Sequence, residues 1–309
     1  MILAKPEQVL LALIGEAAIG YPAWLLALIG HPVMWFGAAI AVLEARWNTG
    51  SVVRRRASGA MLVLVIAGGA GAVGWMIEHW VGHGLPVALV IALATTGLAQ
   101  RSLDDHVRAV AEPLLRGDLA GARKAVGCIV GRDTMDLPET GVAVAAIESL
   151  AESFCDGVVA PAFWFLVAGL PGLIVCKVIN TSDSMIGHRD ERYRHFGWAA
   201  ARSDDVMNYL PARLAGILIC LAGWGGARTM LRDAHRHASP NGGLPEAAMA
   251  GVLKRRLGGP VRYDGEVALR PWLGEGPAPD ARDLQRSLWV YRRACGLLWV
   301  LTGVCAWLL

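Results

Sequence analysis

Glu148, Glu152 and Asp156 follow one another at four-residue steps, so a helix starting near Pro138 stacks three carboxylates along one face. Like charges so placed repel by roughly 0.2–0.5 kcal/mol per pair in water, a cost that a solvated acidic face tolerates. Here the neighbours are Val142, Ala145, Ala146 and Leu150, and an apolar segment begins at once. Against the plain reading of a solvated face stands a chemical one, magnesium ligation or proton transfer, since hard cations take oxygen ligands from such carboxylates.

A second polar concentration, Lys177-Val178-Ile179-Asn180-Thr181-Ser182-Asp183-Ser184, closes an apolar segment, where unpaired polar groups are costly. A helix N-cap at Thr181 or Asp183 accounts for part of it but leaves Lys177 and Asn180 unexplained. Arg189, Arg192 and Arg194 follow. Arginine precedes paired aspartates twice, in Arg101-Ser102-Leu103-Asp104-Asp105 and in Arg202-Ser203-Asp204-Asp205, and each is read as an acidic helix start. Of 29 basic residues all but Lys5, Lys124, Lys177 and Lys254 are arginine, whose forks grip phosphate and carboxylate bidentately; a coding bias is the plain alternative. No G-x-x-x-x-G-K-[ST] element exists, so a nucleotide site must be of another kind. His79 and His83 read as interfacial residues beside Trp80, and His235 and His237 as loop residues. The six cysteines form no C-x-x-C pair and read as buried small apolar residues.

The elements that must hold these groups are apolar. The chain has 309 residues, 55% hydrophobic and 18% charged, with a mean hydropathy of +0.44, which excludes an ordinary soluble domain. The expected fold is all-α: a polytopic membrane protein with about four to six membrane segments, one of them re-entrant or broken, and cytoplasmic amphipathic helices. Candidate segments are 9–29, read as a retained anchor, then 61–77, 86–100, 158–179, 210–224 and 287–309, while 33–43 behind Pro32 lies along or dips into the membrane. Gly169-Leu170-Pro171-Gly172 breaks 158–179 and favours a re-entrant hairpin over a broken spanning helix. Arg46, Arg54, Arg55 and Arg56 mark a cytoplasmic loop, and two spans later the polar block at Arg101 falls on the same side of a cell inner membrane.

Between the spans, Ser102 to Asp105 reads as a capping box for a helix ending at Gly117. A second amphipathic helix starts at Asp118, and Gly131-Arg132-Asp133-Thr134 is a loop. Residues 232–286 are rich in proline, glycine and arginine and read as a lid facing the substrate. Within them Pro245 opens a helix, and Arg262-Tyr263-Asp264-Gly265-Glu266-Val267 is a hairpin with a type I′ turn. The whole reads as one integral membrane domain, 1–309, with site-bearing segments 101–157 and 180–208. Basic residues interleave with acids, so nucleic acid is not an expected partner.

Several of these stretches carry a resemblance. His31-Pro32-Val33, Arg101 to His106, Ile129 to Thr134, Glu148-Ser149 with Asp156 to Pro161, Asn180 to Gly187, Phe196 to Arg202 with Asp204-Asp205, and Ser239-Pro240-Asn241 with Pro245-Glu246-Ala247 resemble the adenosylcobinamide-phosphate synthase family of cobalamin biosynthesis. The chain departs from the family's pattern at Tyr21, where an acidic residue is usual and Glu16 is the nearby substitute, at Ser153 in place of asparagine, and at Leu244 in place of tryptophan.

The resemblance implies a multi-spanning inner-membrane enzyme that joins an aminopropanol, or its O-phosphate, to the free propionate of adenosylcobyric acid, forming an amide at the expense of ATP. Activating a carboxylate calls for magnesium and cationic side chains on the triphosphate. On that basis Asp104, Asp105, Asp183, Asp204 and Asp205 are expected to hold Mg2+, and Arg101, Arg132, Lys177, Arg189 and Arg202 to clamp phosphate or carboxylate. His31, Asn180, Ser182, Asn241 and Glu246 are expected in substrate or nucleotide binding, and Glu148, Glu152 or Asp156 to take the proton of the attacking ammonium. Expected partners are the corrinoid and amino-alcohol substrates, the lipid bilayer, and a second copy of the chain or other cobalamin-pathway enzymes. The rivals are a permease for a corrinoid or related amphipathic metabolite, suggested by the broken segment, and a non-catalytic membrane scaffold.

Overall fold

Glycine and proline punctuate the apolar runs and cut them into helices. The computed structural model describes residues 5–81, 86–263 and 265–308. In chain order come α1 (Lys5–Ile19), α2 (Ala23–Ile29), α3 (Pro32–Trp47), α4 (Val52–Val81), α5 (Val87–Thr95), α6 (Gln100–Leu115) and α7 (Leu119–Val126). Then α8 (Glu139–Phe154), a π-helical segment (Cys155–Val159), α9 (Ala160–Ile186), α10 (Trp198–Met207), α11 (Tyr209–Gly223), α12 (Ala227–Asp233) and α13 (Gly243–Leu253) lead to a short β region. There β1 (Leu257–Gly258) pairs antiparallel with β4 (Trp272–Leu273), and β2 (Val261–Tyr263) with β3 (Glu266–Ala268), before α14 (Ala281–Leu308) ends the chain. These elements form two compact units, one of residues 1–99, 160–208 and 302–309, the other of 100–159 and 209–301.

In the first unit α4 lies along α9 and against α3 and α10. Ile40, Leu62, Ile186 and Phe196 close its core, each buried and held by close packing. Gly59 sits so close to the Phe196 carbonyl that a Cβ would overlap it. Elsewhere the surface is apolar: the run 23–47 is only 6% buried and the run 52–80 only 22%, and Trp24, Leu28 and Leu64 are exposed. Such a surface suits lipid, and with a third apolar run at 139–186 the chain is an all-α polytopic membrane protein.

One expected segment is divided, and another is broken where the sequence places the break. Residues 9–29 are divided into α1 and α2, because Gly20 adopts a positive φ of 66° and Pro22 follows at once. In α9 Gly169 takes φ 67° and ψ −157°, and a Cβ on Gly172 would lie 2.5 Å from the Trp164 carbonyl oxygen. Eight residues of continuous helix would separate those two by about 12 Å, so the chain turns sharply at the Gly-Leu-Pro-Gly break, as a folded-back segment requires. The Leu170 N–H freed there donates to Glu78 at 2.8 Å, and Glu78 also pairs with Lys5.

The second unit is built on α8, whose Val142, Ala143, Ala145, Ala146, Ile147 and Leu150 are fully buried. Helices α6, α7 and α13 pack on it, and α13 also meets α11 and α12. Asp118 caps α7 by accepting from Gly121 N–H at 2.9 Å, as the sequence predicts. Helix α6, however, begins at Gln100, so Ser102 to Asp105 lie inside it and do not form the expected capping box. The hairpin forms with Tyr263 opposite Glu266; its turn class involves Asp264, which lies outside the described residues.

The region expected to be a lid is tied down. Asp233, with no exposed surface, pairs with Arg232 at 2.7 Å and accepts from Gly274 N–H at 2.9 Å, and Arg255 pairs with Asp283 at 2.6 Å. Burying a carboxylate is affordable only when its oxygens are so satisfied.

Candidate active site

Helix α8 carries Glu148 on its inward face, where the carboxylate is 2% exposed and cannot stay ionised without partners. It has three. Arg132 Nη2 lies 2.5 Å from Oε2, Arg270 Nη1 lies 3.4 Å from the same oxygen, and Gly258 N–H donates to Oε1 at 2.6 Å. The loop bearing Arg132 is fixed to α8 by the Ser149 hydroxyl, which donates to the Ile129 carbonyl at 3.0 Å.

A second buried acid shares the cluster. Glu246, from the first turns of α13, is 1% exposed; its Oε2 is 3.5 Å from Arg270 Nη2 and its Oε1 is 3.6 Å from His237 Nε2. His237 Nδ1 lies 3.1 Å from the Ser239 N–H and 3.3 Å from the Ser239 carbonyl oxygen, and the Arg270 guanidinium stands 3.3 Å from Nε2. Burial pushes the Glu246 carboxyl well above the usual carboxylate range, and the charges of Glu148 and Glu152 add to that. Burial, then Arg270, hold His237 below its ordinary value. Burial thus favours the protonated form of Glu246 and the neutral form of His237. Glu152 stands at the exposed side of the group, its carboxylate facing Gly242 and the His237 ring.

Five residues singled out from sequence, Arg132, Glu148, Glu152, Asn241 and Glu246, thus come from three separate stretches into one neighbourhood. The buried Asn241 enters through the Ser239 turn, where the Ser239 hydroxyl accepts from the Asn241 and Gly242 N–H groups at 3.2 Å. Asp156 lies in the π segment that starts at Cys155, so its four-residue step from Glu152 leaves the regular α-helix.

The other predicted residues of this unit lie on α6. Asp104 takes a fork from Arg292 at 2.7 and 3.0 Å, and Asp105 sits between Arg108 and Arg101, the latter 3.7 Å away; of these five side chains all but Asp104 are half-exposed.

In the first unit, α9 continues to Ile186, so Thr181 and Asp183 are not N-caps. Instead the Thr181, Ser182 and Ser184 hydroxyls donate back to the carbonyls of Lys177, Val178 and Asn180 at 2.7, 2.8 and 2.9 Å. Asp183 lies against Gly187 one turn on. Lys177 is within electrostatic reach of His31, whose Nδ1 accepts from Val33 N–H at 3.3 Å and caps α3. Arg189 is exposed. Arg202 is 3.5 Å from Asp205, and Asp204 accepts from Asn208 at 3.0 Å; these residues are interior to α10, which starts at Trp198, so the second Arg-Asp-Asp element is not a helix start.

Among the described residues no three His, Cys, Asp or Glu side chains gather as a metal cluster. No disulfide forms among the described residues, and Cys128 is exposed rather than buried. His79 stacks on Trp75, and His83 lies outside the described residues.

A family model described as CobD/Cbib protein matches residues 9–291. The chain belongs to the CobD/CbiB family. Its relatives include the Cobalamin biosynthesis protein CobD of Rhodobacter capsulatus, 50% identical over 297 residues that cover 94% of each chain. The proteins of the same name from a Sinorhizobium species and from Rhizobium meliloti are 44% and 43% identical, with 93% of this chain and 94% and 93% of theirs covered. No solved structure matches the chain. In this CobD/CbiB chain the sequence reading missed His237 and Arg270. His237 stands two residues before the Ser239-Pro240-Asn241 motif, a usable signal; Arg270 lies in an arginine-rich stretch where nothing local distinguishes it from Arg255, Arg256 or Arg262.

Proposed function

We propose that the chain is an ATP-dependent carbon-nitrogen ligase of cobalamin biosynthesis, joining aminopropanol or its O-phosphate to the free propionate of adenosylcobyric acid in the inner membrane, with its polar site on the cytoplasmic side. The observation that carries this reading is the buried Arg132–Glu148–Arg270–Glu246–His237 cluster with Glu152 at its open side, in a chain that belongs to the CobD/CbiB family.

The propionate oxygen attacks the γ-phosphorus of ATP, giving an acyl phosphate and ADP; the amine nitrogen then attacks the acyl carbon, phosphate leaves with the bonding pair, and the ammonium proton goes to a base. Magnesium, bound with the nucleotide, neutralises phosphate charge. Glu148, saturated by two arginines and an N–H, anchors Arg132 and Arg270 so that their remaining donors are aimed in advance at anionic substrate oxygens. Glu152 is the exposed carboxylate left to take the proton, with neutral His237 beside it. The five aspartates expected to hold Mg2+ remain candidates for that role. The permease reading has less support, because the N–H freed at the α9 break is already taken by Glu78.

Purified protein in detergent, given adenosylcobyric acid, MgATP and either amino alcohol, yields a corrinoid heavier by the amine less water on mass spectrometry. An unchanged corrinoid together with uptake into vesicles would overturn the ligase in favour of the permease.

A further inference from the structure

In the second unit a groove of about 460 Å³ opens between the Arg132 loop, the start of α8 and the β region. Its volume is that of a small-molecule site. Arg132, Arg256 and Arg262 line it together with Asp133, Asp136 and Trp272.

The arginines differ in what they already do. Arg132 is committed to Glu148. Arg256 and Arg262 are exposed and have no carboxylate partner among the described residues. Both are nonetheless held in place. The Arg256 guanidinium lies over the Trp272 ring, 4.7 Å from its centroid, a cation–π contact that positions the charge without neutralising it. The backbone of Arg262 is fixed by Asp133 N–H, which donates to its carbonyl at 2.9 Å, while Asp133 Oδ2 accepts from Gly265 N–H at 2.9 Å and pins the hairpin to the loop.

A positioned guanidinium on Arg256, with Arg262 on a fixed backbone and Arg132 beside them, selects a polyanion. The two aspartates would repel a bare polyphosphate but suit one that brings magnesium. We infer that this groove binds the triphosphate of a magnesium nucleotide, Arg256 and Arg262 holding its phosphates, and that Arg132 and Gly258, which belong both to the groove lining and to the Glu148 shell, set the terminal phosphate beside the buried cluster. This assignment rests on the ligase reading and gives the nucleotide its place in it.

The test is binding of MgATP to the whole chain in detergent, by calorimetry, with inorganic tripolyphosphate as competitor. Arg256→Ala and Arg262→Ala are each expected to raise the Kd by about tenfold or more, with Arg256→Lys intermediate, thermal melting unchanged and corrinoid affinity unchanged. Tripolyphosphate should displace the nucleotide from the wild type and far less effectively from the double variant. If the wild type binds MgATP and forms product while the double variant keeps the wild-type Kd, the groove is not the nucleotide site and the ligase stands. A double variant that raises only the KM for the amino-alcohol phosphate overturns the assignment in favour of that substrate. A wild type that neither binds MgATP nor forms product removes both readings.

Discussion

The Glu148 cluster and the Arg202–Asp205 stretch use the same residue types and put them to opposite uses. Around Glu148 the partners come from positions 16, 110 and 122 residues away, and the carboxylate is 2% exposed. Around Asp205 the partner is three residues back on the same helix, and its side chain is 76% exposed. A pair between neighbours on a solvated helix forms at little cost and contributes little. A buried group assembled from distant segments is expensive to desolvate, so its arginines are fixed, and burial pushes the Glu246 carboxyl well above the usual carboxylate range. The proposed function assigns the proton transfer to the second arrangement.

The sharpest way to break this contrast is Glu148→Ala, which leaves Arg132 and the Gly258 N–H facing an empty carboxylate position. Denaturation in detergent should show a loss of about 3–5 kcal/mol, together with loss of synthase activity; a loss below 1 kcal/mol would mean that the cluster is not buried as described. Asp233→Asn strands Arg232 and should cost about 2–3 kcal/mol at neutral pH. Arg232 holds Asp233 below its ordinary value, so its contribution is present above the usual carboxylate pKa and fades as the pH falls through the depressed one. Melting curves of wild type and variant should therefore converge in acid.

Glu246→Gln probes the opposite shift. The raised carboxyl contributes stability that is present below the usual carboxylate pKa and is lost as the pH rises through the raised value, so the wild type should weaken towards alkaline pH and the variant should not. At neutral pH the two should melt within about 1 kcal/mol of each other. The smallest effect is expected at Asp205→Asn, within about 0.5 kcal/mol; a tenfold fall in activity at that unchanged stability would show that Asp205 holds magnesium as the sequence suggests.

Much of this was legible before the fold. Hydropathy marks the membrane runs, Gly169-Leu170-Pro171-Gly172 marks the sharp turn, Asp118 marks the α7 cap, and the two strands around Asp264-Gly265 mark the hairpin. What failed were inferences from local charge. Thr181 and Asp183 look like caps because their residue types favour caps, yet apolar packing of Val178 and Ile179 carries α9 past them. The π segment after Phe154, which holds Asp156, has no plain sequence mark. Arg270 was invisible because an ion pair with a residue 122 positions away leaves no trace in its own neighbourhood.

Glu152→Gln tests the central claim most directly, because Glu152 is exposed and its loss should leave folding intact. With adenosylcobyric acid, MgATP and the amino alcohol at saturation, amide formation followed by mass spectrometry should fall about 100-fold or more while the melting temperature holds. Wild-type turnover in that variant would contradict the assignment of the reaction to this cluster.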